Sequence, residues 1–291
     1  MEPDTADGLW YVGQFGGTKG YSIRIKKVLI SLETGFQKVE IVDTFDFGVC
    51  LLLDDDLVSC AADEYVYNEA FVHPGLLFHP RPRNTLLIGV ATGAAIREVA
   101  RHKDLTRIMA VDIDRELVEV CSDNLPWSRE ALSDPRLELQ FGDGVEALES
   151  TRSTFDCILV DGGEPDVNPI SENLDSRVFF ELVRKKLSDD GVFVTQVGST
   201  DHTCETRWVV TIRRLREVFQ HVKLYQTFVP SFMTTWGFAL ASNRRFSELL
   251  PDNLESMLEK RLTSSLRYYD AETHSAMFSL PLPLRQLLPD K

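Results

Sequence analysis

The alternation of apolar strand patterns with amphipathic helix patterns constrains the fold of this chain more than any other feature. The stretch "TLLIGVATGAAIREVARH", residues 85–102, has the pattern of a buried strand, a glycine-bearing turn and a helix. Further strand candidates follow at "RIMAVD", "LELQF", "FDCILVD", "GVFVTQV", "KLYQTFV" and "WGFALAS". This alternation is typical of a parallel sheet flanked by helices. We predict a doubly wound, Rossmann-like α/β domain over residues 76–291.

The first part of the chain has a different pattern. Residues 1–75 contain alternating or β-branched runs, separated by Gly and Asp turns, at "YSIRIKKVLISL", "QKVEIVDT" and "VCLLLDD". The prolines of "HPRPRN" discourage regular structure and mark the change of pattern. We predict a small antiparallel, β-rich N-terminal domain over residues 1–75.

Composition excludes several classes of protein. With 43% hydrophobic residues the chain can bury a core, yet no apolar run approaches the roughly 18 residues that a membrane helix needs. The five cysteines form no CxxC pair and lie mostly in apolar segments, which is typical of reduced thiols in a cytoplasmic protein. A net charge of -14 argues against a nucleic-acid partner and favours a small cationic one.

Ligands of doubly wound sheets bind at the carboxyl ends of the strands, so the residues there are the candidates for a site. The first predicted strand ends in the turn Gly89-Val90-Ala91-Thr92-Gly93. Glycines allow the backbone to approach a ligand closely, although tight packing of strand against helix explains Gly89 and Gly93 equally well.

The next two strands end in acidic residues. Asp112 follows the glycine turn by about twenty residues, where a carboxylate can accept hydrogen bonds from both ribose hydroxyls. The alternative is a cap of the helix "RELVEVC", for which Asp114 is better placed. Asp143, followed by Gly144, can accept a hydrogen bond from an adenine amino group, although a simple Asp-Gly turn has the same sequence.

Together these strand ends predict an adenosine site. The chain has neither GxxxxGK[ST] nor a complete GxGxxG, so S-adenosylmethionine (AdoMet) or a relative is the expected ligand, on a sheet of the AdoMet-methyltransferase type. The fourth strand ends in "VDGGEPDVNP", which places Asp161 and Glu164 at the mouth of the same crevice. Two carboxylates can hold a cationic amine and accept its proton, although a solvated acidic loop is the alternative.

With these residues in place, the chain resembles the polyamine aminopropyltransferases, the spermidine and spermine synthase family. It is most similar to the thermospermine synthase branch of that family. The resemblance covers nearly the whole chain. It rests on "LWYVGQFGGTKGYSIRIKKVLISLETGFQKVEI", "AADEYVYNEAFVHPGLL", "AVDIDRELVEVC", "VTQVG", "VPSFMTTWGFALAS" and "LRYYDAETHSAMFSLPLPLRQLL".

The resemblance implies a role for each matching residue. Asp161 matches the catalytic aspartate and general base. The donor-side contacts implied by the family, with those predicted above, are Gln37, Asn68, Gly89, Thr92, Gly93, Asp112, Asp143 and Gly144. The implied acceptor-side residues are Tyr67, Glu69, Glu164, Phe232 and Trp236. The resemblance also implies a homodimer that uses no metal.

The chain departs from the family pattern at five positions. The family's acidic residue in the glycine loop is Thr92 here, and Asp55, Val58, Asn68 and Phe232 replace Gly, Gln, His and Tyr. The lost loop carboxylate matters because intact AdoMet carries a carboxylate that decarboxylated AdoMet lacks. Two like charges about 4 Å apart repel by roughly 4 kcal/mol at an effective dielectric near 20. A loop Asp would therefore reject AdoMet, whereas Thr92 permits it. The alternative explanation of these substitutions is structural: Val58 and Phe232 pack, and Thr92 caps a helix.

Three hypotheses follow. The first is transfer of an aminopropyl or 3-amino-3-carboxypropyl group from decarboxylated AdoMet or AdoMet to a polyamine-like amine, with Asp161 accepting the proton. The second is AdoMet-dependent N-methyl transfer to a small amine. The third is a catalytically silent nucleoside-binding scaffold, against which the retained Asp161 argues.

Overall fold

The chain folds around two sheets, as a computed structural model shows. The structure describes residues 8–15, 19–162, 173–203, 207–246 and 253–288. The first sheet has five strands and the second has seven. No helix within these ranges is both long and apolar enough to cross a membrane.

The five-stranded sheet is antiparallel, and its strands are adjacent in chain order. They are β1 (Leu9–Phe15), β2 (Lys19–Glu33), β3 (Lys38–Thr44), β4 (Val49–Leu53) and β5 (Asp56–Cys60). The β4–β5 turn passes through Asp54 and Asp55, whose φ angles of 49° and 69° are left-handed. Asp tolerates this region better than most residues, which explains how Asp55 replaces a glycine.

The seven-stranded sheet confirms the predicted Rossmann-like fold. Its order is β11-β12-β10-β9-β6-β7-β8, and among these strands β12 alone runs against the others. The bounds are β6 (Asn84–Ile88), β7 (Arg107–Asp112), β8 (Leu137–Phe141), β9 (Phe155–Val160), β10 (Leu187–Ser199), β11 (His221–Val229) and β12 (Thr234–Ser242). The strand order reverses between β6 and β9, which is where ligands bind in sheets of this kind.

Helices cover both faces of this sheet. They are α1 (Glu64–Phe78), α2 (Ala94–Ala100), α3 (Arg115–Asn124), α4 (Ser128–Ala131), α5 (Gly144–Ser150), α6 (Arg177–Lys186), α7 (Arg207–Val218), α8 (Leu254–Arg261), α9 (Ala271–Phe278) and α10 (Leu282–Leu287). Successive strand residues serve opposite faces. In β9, Leu159 packs with the α1 and α2 side chains, whereas Ile158 packs with Phe180 of α6 and Trp208 of α7.

The boundary between the two domains lies earlier than the predicted residue 75. That position falls inside α1, whose Phe71 and Leu76 are fully buried in the same apolar cluster as Leu87 of β6 and Val194 of β10. Helix α1 therefore belongs to the second domain, because it needs the large sheet to cover its apolar residues. The first sheet ends at Cys60, just before α1.

A separate apolar cluster joins the two domains. Val39, Ile41 and Leu51 of the first sheet pack against Leu117 and Cys121 of α3. The first sheet thereby lies beside the helix that follows β7, near the carboxyl ends of the large sheet.

Candidate active site

One cavity of about 590 Å³ lies where the carboxyl ends of β6, β7, β8 and β9 meet. Residues of the N-terminal sheet complete its wall. A cavity of this size holds a small organic ligand. The predicted site residues that line it are Gln37, Tyr67, Asn68, Gly89, Thr92, Asp112, Asp143, Gly144, Asp161, Phe232 and Trp236.

The glycine turn after β6 is shaped by close packing. Gly89 has a φ of +80°, and a Cβ there would lie 2.1 Å from the carbonyl oxygen of Asp161. Gly93 has a φ of +73°, begins α2, and would bring a Cβ 3.1 Å from the carbonyl oxygen of Ser128. Gly89 lines the cavity and Gly93 packs against Ser128 beside it, so the packing alternative accounts for Gly93, and its ligand contact stays a prediction.

Asp112 connects the glycine turn to the end of β7. Its Oδ2 accepts hydrogen bonds from the amides of Val90 and Ala91 at 2.8 and 2.9 Å. Its Oδ1 accepts one from the amide of Asp114 at 2.9 Å. Burial raises the pKa of Asp112, and these amides oppose the shift. Asp112 thus holds the turn in place while facing the cavity, and its ribose contact stays a prediction.

Asp114 caps α3, as the sequence predicts, because its Oδ1 accepts from the amide of Leu117 at 3.0 Å. Its Oδ2 accepts from two side chains of the β2–β3 turn, the Thr34 hydroxyl at 2.6 Å and the Gln37 amide at 3.2 Å. Gln37 also lines the cavity, so its predicted place on the adenosine side is compatible with the fold.

Asp143 follows β8 and begins α5. Its Oδ1 accepts from the amides of Val145 and Glu146 at 2.6 and 3.1 Å, which makes it the cap of that helix. Within the described ranges its Oδ2 accepts no hydrogen bond, so this oxygen can accept one from a ligand, and the predicted adenine contact stays a prediction. A Cβ on Gly144 would lie 2.5 Å from Cγ2 of Ile88, so this glycine allows the helix to approach β6.

Two roles are predicted for Thr92, a donor-side contact and a helix cap, and its surroundings are compatible with both. Its side chain lines the cavity, and its hydroxyl accepts a hydrogen bond from the amide of Ala94 at 3.3 Å in the first turn of α2. The capping contact explains the residue locally. The wall of the cavity is nevertheless neutral at this point.

Asp161 follows β9 and lines the cavity, and its predicted role as the general base stays a prediction. The Tyr67 hydroxyl donates to its Oδ1 at 2.7 Å. Burial raises the pKa of Asp161 to about 6; the Tyr67 hydrogen bond opposes this shift and the nearby Asp112 charge adds to it. Burial and the Asp161 carboxylate hold the pKa of Tyr67 well above its ordinary value, so its phenol stays a donor. A carboxylate with such a pKa can accept a proton near neutral pH.

Aromatic rings form the wall beside Asp161. Phe232 packs edge-on against Tyr67 and Trp236, with ring centroids 6.0 and 4.9 Å away. Faces of aromatic rings attract cations, so this wall suits an alkylammonium chain.

Asn68 lies next to Tyr67 in the chain and also lines the cavity. Its Nδ2 donates to the carbonyl oxygen of Glu64 at 2.7 Å.

One predicted acceptor residue, Glu69, does not line this cavity. Glu69 is fully buried, and its carboxylate accepts the backbone amides of Arg267, Tyr268 and Tyr269 at 2.8–2.9 Å. Tyr67 and Glu69 are two residues apart on α1 and so point to different sides of the helix, which is why only Tyr67 reaches the cavity. Glu164 lies outside the described residues.

Sequence reasoning missed several lining residues. Gln196 lies near the end of β10, where the strand-end rule could have found it. Tyr11, Tyr21 and Asp56 reach the cavity from the N-terminal sheet, and no local pattern marks such contacts. Within the described ranges no three His, Cys, Asp or Glu side chains are grouped to hold a metal ion.

Comparison with known proteins agrees with this geometry. Residues 64–249 match the spermine/spermidine synthase domain, and residues 10–59 match the spermidine synthase tetramerisation domain. The chain belongs to the spermine/spermidine synthase family. The first match begins at Glu64, where α1 begins, which supports the corrected domain boundary.

Curated relatives of this family include polyamine aminopropyltransferase 2 of Hyperthermus butylicus, with 37% identity over 91% of this chain and 87% of the relative. The thermospermine synthase ACAULIS5 of Arabidopsis thaliana is 31% identical over 93% of this chain and 80% of the relative. A crystal structure of spermidine synthase with the transition-state analogue AdoDATO has a TM-score of 0.89 at 25% identity, covering 96% of this chain and 94% of that one. The predicted family, fold and enzyme class are confirmed: the protein is an aminopropyltransferase.

Replacement of Asp161 by Asn is expected to stabilise the protein more at pH 8 than at pH 5. The folded-state pKa of about 6 lies above the ordinary 3.8, so the stability contributed by this group is complete below about pH 4 and is lost as the pH rises through 6. Asn removes the buried charge responsible for that loss. The gain at pH 8 is on the order of 1–2 kcal/mol after allowance for solvent screening.

Urea unfolding at both pH values measures this difference. The exposed Asp123 provides a matched Asp123→Asn control, for which the two pH values should give the same change in free energy of unfolding. An Asp161→Asn effect that is equal at pH 5 and pH 8 would contradict the assigned pKa.

Proposed function

We propose that this aminopropyltransferase uses Asp161 as the general base that deprotonates a primary amine of a linear polyamine. The observation that carries the proposal is the position of Asp161 at the end of β9, bonded to Tyr67 and facing the cavity that the nucleoside-side residues also line. The acceptor is a cationic amine, which fits the aromatic wall and the net charge of -14.

The residues divide the cavity between two substrates. Asp112, Asp143 and Gln37 lie on the side where the nucleoside of the donor would bind. Tyr67, Phe232 and Trp236 lie on the acceptor side. Asp161 stands between the two groups, where orientation of both substrates supplies much of the rate.

The chemical step is a displacement at carbon. The amine lone pair forms the C–N bond as the C–S bond of the sulfonium breaks, and sulfur keeps the bonding pair as a neutral thioether. The proton released by the amine passes to Asp161, whose ionised form is required. We therefore expect kcat/KM, which reports the protonation state of the free enzyme, to rise as the pH passes through about 6.

Product analysis tests this proposal against its alternatives. Incubation with decarboxylated AdoMet and linear di- and triamines should yield methylthioadenosine and an aminopropylated amine. S-adenosylhomocysteine from AdoMet would instead indicate methyl transfer, and the absence of any product would indicate a scaffold.

Asp161→Asn is expected to lower turnover by roughly 10²–10⁴-fold, the range of general-base effects, with nucleoside affinity within a few-fold of the wild type. Near-normal turnover in Asp161→Asn would remove it as the base.

We propose in addition that Thr92 widens the choice of donor to intact AdoMet. The support is the neutral wall at Thr92, where a carboxylate would repel the donor carboxylate. Thr92→Asp is expected to shift the ratio of the two affinities at least tenfold toward decarboxylated AdoMet, measured by calorimetry with each donor alone. Thr92→Val serves as a neutral control. Strong preference of the wild type for decarboxylated AdoMet, unchanged in Thr92→Asp, would reduce Thr92 to its capping role.

We propose that the chain forms a homodimer or a larger assembly through its N-terminal sheet. β1 is an edge strand of that sheet and exposes Leu9, Trp10 and Val12, the last by 62%. Apolar edge strands favour association with another chain.

The buried free thiols Cys50, Cys60, Cys121 and Cys157 support a reducing compartment such as the cytoplasm.

A charged substitution tests the assembly. Val12→Lys is expected to lower the molar mass measured by light scattering at a fixed protein concentration, because it places a charge in the proposed contact. Val178→Lys on α6, which is 76% exposed, is the matched control. An unchanged molar mass for Val12→Lys would exclude this edge as the contact.

A further inference from the structure

The β2–β3 turn of the N-terminal sheet carries a threonine whose hydroxyl makes several hydrogen bonds. Thr34 Oγ1 accepts from the amides of Phe36 and Gln37, both at 3.1 Å. The same hydroxyl lies 2.6 Å from Oδ2 of Asp114 and 3.2 Å from the carbonyl oxygen of Gln37, and its one proton goes to the nearer, charged acceptor, Asp114. Thr34 thus organises its own turn and also reaches across to the second domain.

The acceptor of that proton is a buried carboxylate. Asp114 is 1% exposed, so its hydrogen bonds come from the protein: the Leu117 amide, the Thr34 hydroxyl and the Gln37 side chain. Two of these three donors belong to the N-terminal turn. Removing a donor from a buried carboxylate leaves part of its desolvation uncompensated, which favours movement of the group.

Movement of Asp114 would be transmitted to the nucleoside side of the cavity. The Asp114 amide donates to Oδ1 of Asp112, and Oδ2 of Asp112 holds the amides of Val90 and Ala91. An uninterrupted series of hydrogen bonds therefore runs from Thr34 to the glycine turn. Thr34 itself does not line the cavity.

We propose that Thr34 is a positioning residue for the donor nucleoside, acting through Asp114 on Asp112 and the glycine turn. The inference rests on the proposed function, in which these last two elements bind the donor. The apolar contact of Val39 and Ile41 with Leu117 holds the two domains together independently of this hydroxyl. Loss of the hydroxyl should therefore change donor binding while the domains stay joined.

The test compares Thr34→Val, which keeps the side-chain shape, with Thr34→Ser, which keeps the hydroxyl. Calorimetry with methylthioadenosine should give roughly tenfold weaker binding for Thr34→Val, the effect of one lost hydrogen bond to a charged group. Thr34→Ser should bind within about twofold of the wild type. The KM for decarboxylated AdoMet should rise in Thr34→Val, while the KM for the amine and the pH dependence of kcat/KM, set by Asp161, should stay unchanged.

Hydrogen exchange gives a second measurement. The amides of Val90 and Ala91 should exchange faster in Thr34→Val than in Thr34→Ser. Ser31→Ala serves as control, because Ser31 lies on the same hairpin and its exposed hydroxyl donates to the half-buried Glu40 of the same sheet. Its donor affinity should equal that of the wild type.

The outcomes separate the two proposals. Failure of the wild-type protein to bind methylthioadenosine would overturn the proposed function. Normal binding by the wild type and by folded Thr34→Val would overturn the positioning role alone. Where Thr34→Val does not fold, Thr34→Ala takes its place. Loss of folding in both variants would show that the hydroxyl supports the fold as a whole. That result would also overturn the positioning role.

Discussion

The active site depends on one backbone contact, where β6 and β9 end side by side. The Asp161 amide donates to the carbonyl oxygen of Ile88 at 2.8 Å, and Gly89 turns away with a φ of +80°. A Cβ at residue 89 would lie 2.1 Å from the Asp161 carbonyl oxygen, so an L side chain there would force the strands apart. This contact places the start of the glycine turn next to Asp161, the carboxylate that we propose as the base.

The carboxylates of this acidic chain perform two different tasks. Asp112, Asp114 and Glu69 are buried and accept backbone amides, and each therefore fixes the position of a chain segment. Asp161 accepts a single hydrogen bond within the described ranges, from Tyr67. Because few donors compensate its burial, its pKa rises to about 6. Three of these carboxylates thus receive backbone amides and fix chain segments, whereas Asp161, the proposed base, receives one phenol hydroxyl.

Local patterns predicted much of the fold. Every strand candidate of the second domain is a strand. The predictions that differ from the structure concern segments whose side chains contact residues far away in the chain. The 267–269 backbone amides donate to Glu69 and hold it outside the cavity in which the family resemblance expects it. The predicted boundary at residue 75 lies inside α1, whose buried side chains pack against the distant strands β6 and β10.

The sequence by itself determined the strand ends and their order along the chain, and with them Asp112, Asp143 and Asp161 as residues of one edge, because period and capping act over a few residues. Only the tertiary structure decided how far each of these carboxylates is buried and which donors it receives. It also brought Tyr11 and Tyr21 to the cavity, and joined Thr34 to Asp114 across 80 residues of chain. These properties depend on burial and on donors from other elements, which packing brings together and no local pattern records.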